Sequence, residues 1–171
     1  MSTLKEHIWL CGFMGCGKST VGRALSRYYG ADFIDMDRYI EEQKQMTIPQ
    51  IFAQYGEPHF RELETACIDT LRLHAPMVIA SGGGAFVSAS NAALALQSGK
   101  IVFLDVPFEE CYRRIKSSDR PIVKKNTEAE LQDLFALLHR CYEENASASF
   151  REVLPPWETA EKIAALIATL R

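Results

Sequence analysis

The sequence predicts an α/β fold in which a parallel β-sheet carries helices on both of its faces. Short apolar runs alternate with longer segments whose apolar residues recur at helical spacing. A chain that alternates in this way forms right-handed βαβ units, and these bury both faces of the sheet. The length of 171 residues, 47% of them hydrophobic, is enough for one core. We therefore expect residues 1–171 to form a single domain.

The first half of the chain contains three predicted strands and the helices between them. Uninterrupted apolar runs predict strands at residues 8–11, 33–34 and 77–80. Helical spacing predicts helices at residues 18–29, 39–44, 47–55 and 58–74. Gly30 is expected to end the first of these helices, and Thr47 to cap the start of the third.

The second half repeats the alternation with two more strands, of which the last is weakly patterned. Apolar runs predict strands at residues 101–104 and 148–153. Helical spacing predicts helices at residues 88–97, 107–116, 128–145 and 157–170. Residues 117–127, which contain an Asp-Arg-Pro step and a pair of lysines, predict a mobile loop.

The composition excludes several classes of protein. A net charge of −3 leaves no basic surface typical of nucleic-acid binding. The five cysteines form no CxxC pair, which favours reduced thiols in a cytosolic protein, and the four histidines lack zinc-ligand spacing. The first seven residues do not resemble a signal peptide, and no apolar run reaches the roughly 18 residues of a membrane span. We expect a cytoplasmic protein that contacts neither membranes nor nucleic acid.

A glycine-rich loop follows the first predicted strand. Residues 12–19 match G-x-x-x-x-G-K-[ST] in full, between a strand and a helix. Glycines let successive backbone N–H groups point inward and hold a phosphate, and the next helix adds its positive end. Lys18 would then reach the β- and γ-phosphates, and the Ser19 hydroxyl would ligate Mg²⁺. The pattern predicts a nucleotide triphosphate site.

Acidic residues follow the second predicted strand. Asp35 and Asp37 would lie near the phosphate loop, because ligands of such sheets bind beyond the carboxyl ends of the strands. One carboxylate could support the metal through water, and the other could accept a proton from a substrate hydroxyl. Capping of the next helix is an equal alternative for these aspartates.

An arginine and three glycines complete the candidate acceptor site. Arg61 has Glu64 three residues later on a predicted helix, which could hold the guanidinium ready for a substrate carboxylate. The alternative is a solvated ion pair. Gly82, Gly83 and Gly84 end the third strand, where glycines have no packing value but allow backbone N–H groups close to a ligand. A flexible turn is the alternative there.

Together these segments resemble the shikimate kinase family. The resemblance rests on GFMGCGKSTVG, FIDMD, GEPHFRELE, VIASGGG, VFLD and DRP, which occur in the family's order and at its spacing over about three quarters of the chain. Gluconate kinases share the phosphate loop but generally lack the later segments. The resemblance implies a P-loop NTPase with three α/β/α layers and a five-stranded parallel sheet in the order 2-3-1-4-5. It also implies phosphorylation of the shikimate 3-hydroxyl by ATP, in the route to aromatic amino acids, and a monomer is expected.

The resemblance also implies roles for individual residues. ATP would bind over the phosphate loop, which comprises Gly15, Cys16, Gly17, Lys18, Ser19 and Thr20. Mg²⁺ would lie on Ser19 with Asp35 as support through water, and Asp37 would orient or deprotonate the shikimate hydroxyl. Arg61 would grip the substrate carboxylate, and Gly82, Gly83 and Gly84 would contact the ring hydroxyls. Arg120 would close onto the transferring phosphate from a lid at residues 117–127.

Two arginine assignments are less direct. Arg113 or Arg114 is a candidate for packing on adenine, with a solvated arginine as the alternative. The family's second carboxylate-binding arginine precedes a tyrosine by four residues, and Leu138 occupies that position here. Arg140 lies two residues later, about 200° around a regular helix. Either the helix ends early or shifts its register so that Arg140 still reaches the pocket, or Arg61 alone binds the carboxylate. We expect the local shift, with Arg140 retained as a carboxylate ligand.

Two rival functions remain open at the level of sequence. The first is a kinase for another polyol acid such as gluconate, which an assay on several acids would distinguish. The second is a non-catalytic, nucleotide-dependent module that has kept the fold. Only the changed arginine region favours the module, whereas the intact Lys18, Asp37 and Arg120 argue against it.

Overall fold

The computed structural model describes residues 2–170, and within them a single five-stranded parallel sheet forms the middle layer. Its strands are β1 (His7–Cys11), β2 (Phe33–Asp35), β3 (Val78–Ala80), β4 (Gly99–Leu104) and β5 (Ala148–Phe150). The strands lie in the order β2-β3-β1-β4-β5, and every neighbouring pair is parallel. The predicted fold class and strand order are both confirmed.

Helices connect the strands. They are α1 (Lys18–Tyr29), α2 (Met36–Lys44), α3 (Ile48–Tyr55), α4 (Glu57–Leu71), α5 (Ala89–Leu96), α6 (Phe108–Ile115), α7 (Pro121–Lys125), α8 (Glu128–Asn145) and α9 (Pro156–Thr169). A short 3₁₀ helix also covers Ala85–Val87. Within the described residues, no helix is long and apolar enough to span a lipid bilayer.

The central strand β1 shows how the sheet divides the core into two layers. Successive side chains of a strand point to opposite faces. Ile8 and Leu10 accordingly belong to one buried apolar cluster, and Trp9 and Cys11 to the other. All five residues of β1 are buried, as expected for a parallel strand covered on both faces. The carboxyl end of β1 lies at the middle of one edge of the sheet, with two strands on either side.

Helix ends follow local sequence signals. Gly30 adopts a left-handed conformation with φ 62° and ends α1 as predicted, because glycine has no Cβ to oppose that backbone geometry. The Thr47 side chain accepts a hydrogen bond from the Gln50 backbone N–H, which confirms Thr47 as the N-cap of α3. Thr127 caps α8 in the same way through Glu130.

Some boundaries differ from the predictions. Helix α2 begins at Met36, three residues early, because the Asp35 side chain accepts a bond from the Arg38 backbone N–H at 3.2 Å. The segment 117–127 is not wholly a loop, since Arg120 leads into the five-residue helix α7. The fifth strand ends at Phe150 rather than at residue 153. All five cysteines are free thiols, as expected.

Candidate active site

The glycine-rich loop connects β1 to α1 and has the backbone geometry that holds phosphate groups. Gly15 has φ 82° and Gly17, the N-cap of α1, has φ 96°, both conformations that glycine adopts without strain. A Cβ on Gly15 would lie 2.8 Å from Ile115 Cγ2 and 2.9 Å from the Cys111 carbonyl oxygen. The loop therefore packs directly on α6, and only glycine fits at this contact.

The first turn of α1 presents Lys18 and Ser19. Lys18 Nζ donates hydrogen bonds to the Gly12 carbonyl at 2.6 Å and the Phe13 carbonyl at 3.4 Å, so its ammonium group lies across the loop. Ser19 Oγ donates to Asp35 Oδ2 at 2.9 Å. This bond joins the first turn of α1 to the end of β2, although the two residues are 16 positions apart in the chain. The other Asp35 oxygen caps α2, as the capping alternative predicts, while Asp35 Oδ2 is directed at Ser19.

The Ser19–Asp35 pair fits a magnesium ion that is bound mainly by substrate. Both residues offer hard oxygen ligands, which Mg²⁺ prefers. Among residues 2–170, no group of three or more His, Cys, Asp or Glu side chains could hold a metal ion. Because Mg²⁺ keeps several waters and is usually held by one or two protein oxygens plus phosphates, this sparse site is sufficient. Ser19 and Asp35 are the residues that would hold it.

Asp37 lies in the first turn of α2, beside the phosphate loop. Burial raises the pKa of its carboxyl group, and the negative charge of Asp35 raises it further, while Lys18 acts in the opposite direction. A Cβ on Gly82 would lie only 2.6 Å from Asp37 Oδ1 and 3.0 Å from Glu64 Oε2. Gly82 therefore leaves the space that both carboxylates occupy.

Arg61 projects from the first turns of α4 and is held by two glutamates. Its Nη1 donates to Glu64 Oε1 at 2.7 Å, and its Nη2 donates to Glu57 Oε1 at 3.2 Å. Glu64 is 1% exposed and Arg61 is 43% exposed, so the Glu64 pair is anchored in the protein and not a solvated surface pair. The predicted Arg61–Glu64 contact is confirmed.

The guanidinium of Arg61 rests on the glycine turn after β3. A Cβ on Gly84 would lie 2.7 Å from Arg61 Cζ and 2.9 Å from Nη2, and closer still to Nη1. A Cβ on Gly83 would meet no other atom within 4 Å. The expectation that these glycines have no packing value is therefore wrong for Gly82 and Gly84. Both make room for charged side chains, and Gly83 alone faces open space.

The Phe52 and Phe60 rings pack against each other next to the Arg61 guanidinium. Their ring centroids lie 4.9 Å apart, and Phe60 is buried in the core layer that contains Met36 and Ile51. The Arg61 Cζ atom lies 5.5 Å from the centroid of the Phe60 ring. The two rings are thus part of the core that holds Arg61 in place.

One cleft unites the phosphate loop with Asp37 and Gly83 of the candidate acceptor site, whereas Arg61 lies outside its lining. It has a volume of about 590 Å³ and runs along the carboxyl ends of the strands. Its lining includes Gly15, Cys16, Gly17, Lys18, Ser19, Thr20, Asp35, Asp37, Gly83 and Arg120. The lysine and the Asp37 carboxylate, which come from different strand–helix connections, therefore face the same space.

The structure distinguishes between the two candidate adenine arginines. Arg114 lines the cleft and donates from Nη1 to the Gly15 carbonyl at 2.9 Å. Both arginines pair with Glu110, but Arg113 lies on the exposed side of α6 and does not line the cleft. The geometry therefore favours Arg114 over Arg113 for the nucleotide site. Adjacent residues on a helix point about 100° apart, so only one of them could face the loop.

Arg140 does not reach the cleft. Helix α8 runs without interruption from Glu128 to Asn145, so the expected shift of the helix is wrong. Leu138 packs against both core layers, and Arg140 lies on the exposed side of the same helix. The buried Leu131 and Tyr142, with the partly buried Leu138, form the inward face of α8, so Arg140 faces outward.

Two groups at the site were not identified from the sequence. The segment after β5 lines the cleft through Glu152, Val153, Leu154 and Pro156. The buried Tyr142 hydroxyl on α8 donates to the Gly83 carbonyl, and Asn145 Nδ2 donates to the Phe86 carbonyl at 2.8 Å. Helix α8 thereby holds the glycine turn. The consecutive residues Pro155 and Pro156 are the sequence signal that could have indicated the segment after β5. No local pattern marks the contacts of Tyr142 and Asn145.

Comparison with known proteins agrees with this geometry. The shikimate kinase family model matches residues 14–168. A shikimate kinase of Persephonella marina is 34% identical over 159 residues, which cover 92% of this chain and 96% of that protein.

Two solved structures are also similar. Shikimate kinase from Acinetobacter baumannii in complex with shikimate superimposes with a TM-score of 0.88 at 36% identity, over 96% of this chain and 93% of that one. Shikimate kinase from Aquifex aeolicus gives a TM-score of 0.82 at 35% identity, over 93% and 94% of the two chains. The chain therefore belongs to the shikimate kinase family of P-loop kinases, enzymes of the shikimate pathway.

Proposed function

We propose that this shikimate kinase transfers the γ-phosphoryl group of ATP to the 3-hydroxyl of shikimate, giving ADP and 3-phosphoshikimate. The observation that carries the proposal is that Lys18 of the phosphate loop and the Asp37 carboxylate line one cleft. A phosphoryl donor and a hydroxyl acceptor must meet in line, and a shared cleft is the condition for that. The complex of the Acinetobacter baumannii relative with shikimate supports the choice of acceptor.

The nucleotide half of the site neutralises charge. Backbone N–H groups of residues 15–20 and the N-terminus of α1 would hold the phosphates, and Lys18 would move from its carbonyl partners to the β- and γ-phosphates. Ser19 and Asp35 would hold Mg²⁺, which supplies further neutralisation of the phosphate oxygens when it is bound. Arg114 lines the adenine end of the cleft in this proposal.

The acceptor half of the site orients the hydroxyl group. Asp37 would accept its proton, and the raised pKa of this carboxyl makes it a stronger base than an ordinary aspartate. Arg61 would bind the substrate carboxylate, because a guanidinium held by Glu64 offers further N–H donors in a fixed position. Residues 82–84 would lie against the ring hydroxyls. Arg140 has no part in this proposal, so Arg61 is the arginine that grips the acid.

Closure over the cleft would exclude water. Residues 117–127 are proposed as the lid, and Arg120 at the start of α7 is the lid residue that lines the cleft. Exclusion of water prevents hydrolysis of ATP when no acceptor is bound. We also propose a single-domain monomer as the working unit.

A substrate comparison tests the proposal. The purified protein is assayed for ADP release with shikimate, quinate and gluconate, each in the presence and absence of Mg²⁺. We expect shikimate to give the highest kcat/KM, and turnover to stop when the metal is chelated. Equal or faster turnover of gluconate would contradict the choice of acceptor. Binding of ATP without phosphorylation of any acid would identify a non-catalytic module instead.

A further inference from the structure

Arg61, the residue proposed to bind the substrate carboxylate, already has two carboxylate partners within the protein. Nη1 donates to Glu64 and Nη2 donates to Glu57. An anionic substrate would therefore meet one positive charge accompanied by two negative ones. The guanidinium would attract a carboxylate more strongly if one of the two glutamates left it.

The two glutamates differ in how firmly they are held. Glu64 is 1% exposed, and its oxygen lies 2.7 Å from Nη1. Glu57 is 62% exposed, and its oxygen lies 3.2 Å from Nη2. A buried carboxylate that loses its partner is left poorly solvated, whereas an exposed carboxylate exchanges its partner for water at little cost. Glu57 is thus the partner that can be displaced.

The packing around Arg61 also points to the Glu57 side. The guanidinium lies against the Cα atom of Gly84 and close to the Phe60 ring, which limits rotation of its plane. Nη1 is held by Glu64, so the Nη2 side of the guanidinium is where a second anion would compete with a less firmly held partner. Glu57 occupies that side.

We propose that Glu57 is a displaceable counter-ion that competes with the substrate carboxylate for Arg61. The inference rests on the proposed function, because it assigns the origin of substrate affinity at the same site. Glu57 neutralises the exposed part of Arg61 in the free protein and turns into solvent when the acid binds. The competition lowers affinity for acids, so removal of the Glu57 charge tightens binding rather than weakening it.

The test replaces Glu57 by glutamine and measures the dissociation constant and KM for shikimate. Glutamine keeps the length of the side chain but removes its charge. Exposed ion pairs are weak, so Glu57→Gln is expected to tighten shikimate binding by about two- to fivefold, with the KM for ATP unchanged. Glu62→Gln is the matched control, because Glu62 is an equally charged, 79% exposed residue of α4 whose ion-pair partner is His59. The control should change shikimate binding by much less.

A neutral ligand separates competition for Arg61 from other effects. Methyl shikimate lacks the carboxylate charge, so Glu57→Gln should leave its binding unchanged. The inference is overturned if Glu57→Gln binds shikimate as weakly as wild type or more weakly, or if Glu62→Gln tightens binding equally. Equal tightening for the ester would also overturn it. Wild-type protein that does not bind shikimate would overturn the proposed function itself, whereas normal wild-type turnover with an unresponsive Glu57→Gln overturns this inference alone.

Discussion

Gly84→Ala is a change of one methyl group that displaces the proposed carboxylate-binding arginine. The new Cβ would lie 2.7 Å from Arg61 Cζ and 2.9 Å from Nη2, although ordinary contact between such atoms begins at about 3.5 Å. The backbone at Gly84 has φ −102°, which alanine adopts without strain. The chain should therefore fold normally, and the guanidinium should move instead.

The size of the effect follows from what the displacement breaks. Arg61 Nη1 donates to Glu64 Oε1 at 2.7 Å. A shift of the guanidinium by about 1 Å would break this bond or turn the other N–H groups away from the position proposed for the substrate carboxylate. Loss of one charge-assisted hydrogen bond weakens binding by about 1.5–3 kcal/mol. That range corresponds to a rise of roughly ten- to a hundredfold in the KM for shikimate. The KM for ATP should not change, because the atoms nearest the new Cβ belong to Arg61 and not to the phosphate loop.

The assay is steady-state turnover of Gly84→Ala, Arg61→Ala and the double variant, with shikimate and ATP varied separately. Arg61→Ala alone should raise the KM for shikimate sharply. If Gly84→Ala acts through the guanidinium, it should add little to Arg61→Ala, because the group that it displaces is already absent. A KM for shikimate within twofold of wild type would refute the reasoning. An effect of Gly84→Ala that is equally large in the Arg61→Ala background would also refute it.

Four further predictions concern Asp37 and the nucleotide site. Asp37→Asn should lower kcat by about 10²- to 10⁴-fold with little change in ATP binding, as expected for loss of a general base; turnover at the wild-type rate would remove Asp37 from the mechanism. Because folding raises the Asp37 pKa, ionisation of this carboxyl group destabilises the folded state. Its contribution to the free energy of unfolding is therefore lost as the pH rises through the pKa of the folded protein. Asp37→Asn should accordingly raise the melting temperature at neutral pH, and an unchanged or lower value would contradict the raised pKa. For the same reason, as the pH is lowered, kcat/KM should begin to fall at a pH above the ordinary aspartate pKa of about 3.9. A kcat/KM that stays constant down to that pH would contradict the raised pKa of Asp37. Arg114→Ala should raise the KM for ATP while Arg113→Ala leaves it unchanged, since only Arg114 bonds to the phosphate loop, and equal effects would contradict this distinction.

Much of this protein could be predicted because the signals are local. The phosphate loop occupies eight consecutive residues. Its phosphate-binding groups are the backbone N–H groups of these residues and the Lys18 side chain. Strands and helices were predicted from periodicity, which depends only on neighbouring positions. Arg61 and Glu64 are three residues apart on one helix, so their ion pair was predictable from spacing.

What the sequence by itself determined was the alternation of strands and helices, the phosphate loop and the Arg61–Glu64 pair. The tertiary structure alone decided that Lys18 and Asp37 share a cleft, that Gly82 and Gly84 make room for charged side chains, and that Arg140 faces away from the cleft. Each of these outcomes depends on groups far apart in the chain. The orientation of a helix follows from which of its faces buries the most apolar surface, and that quantity exists only once the layers have packed together.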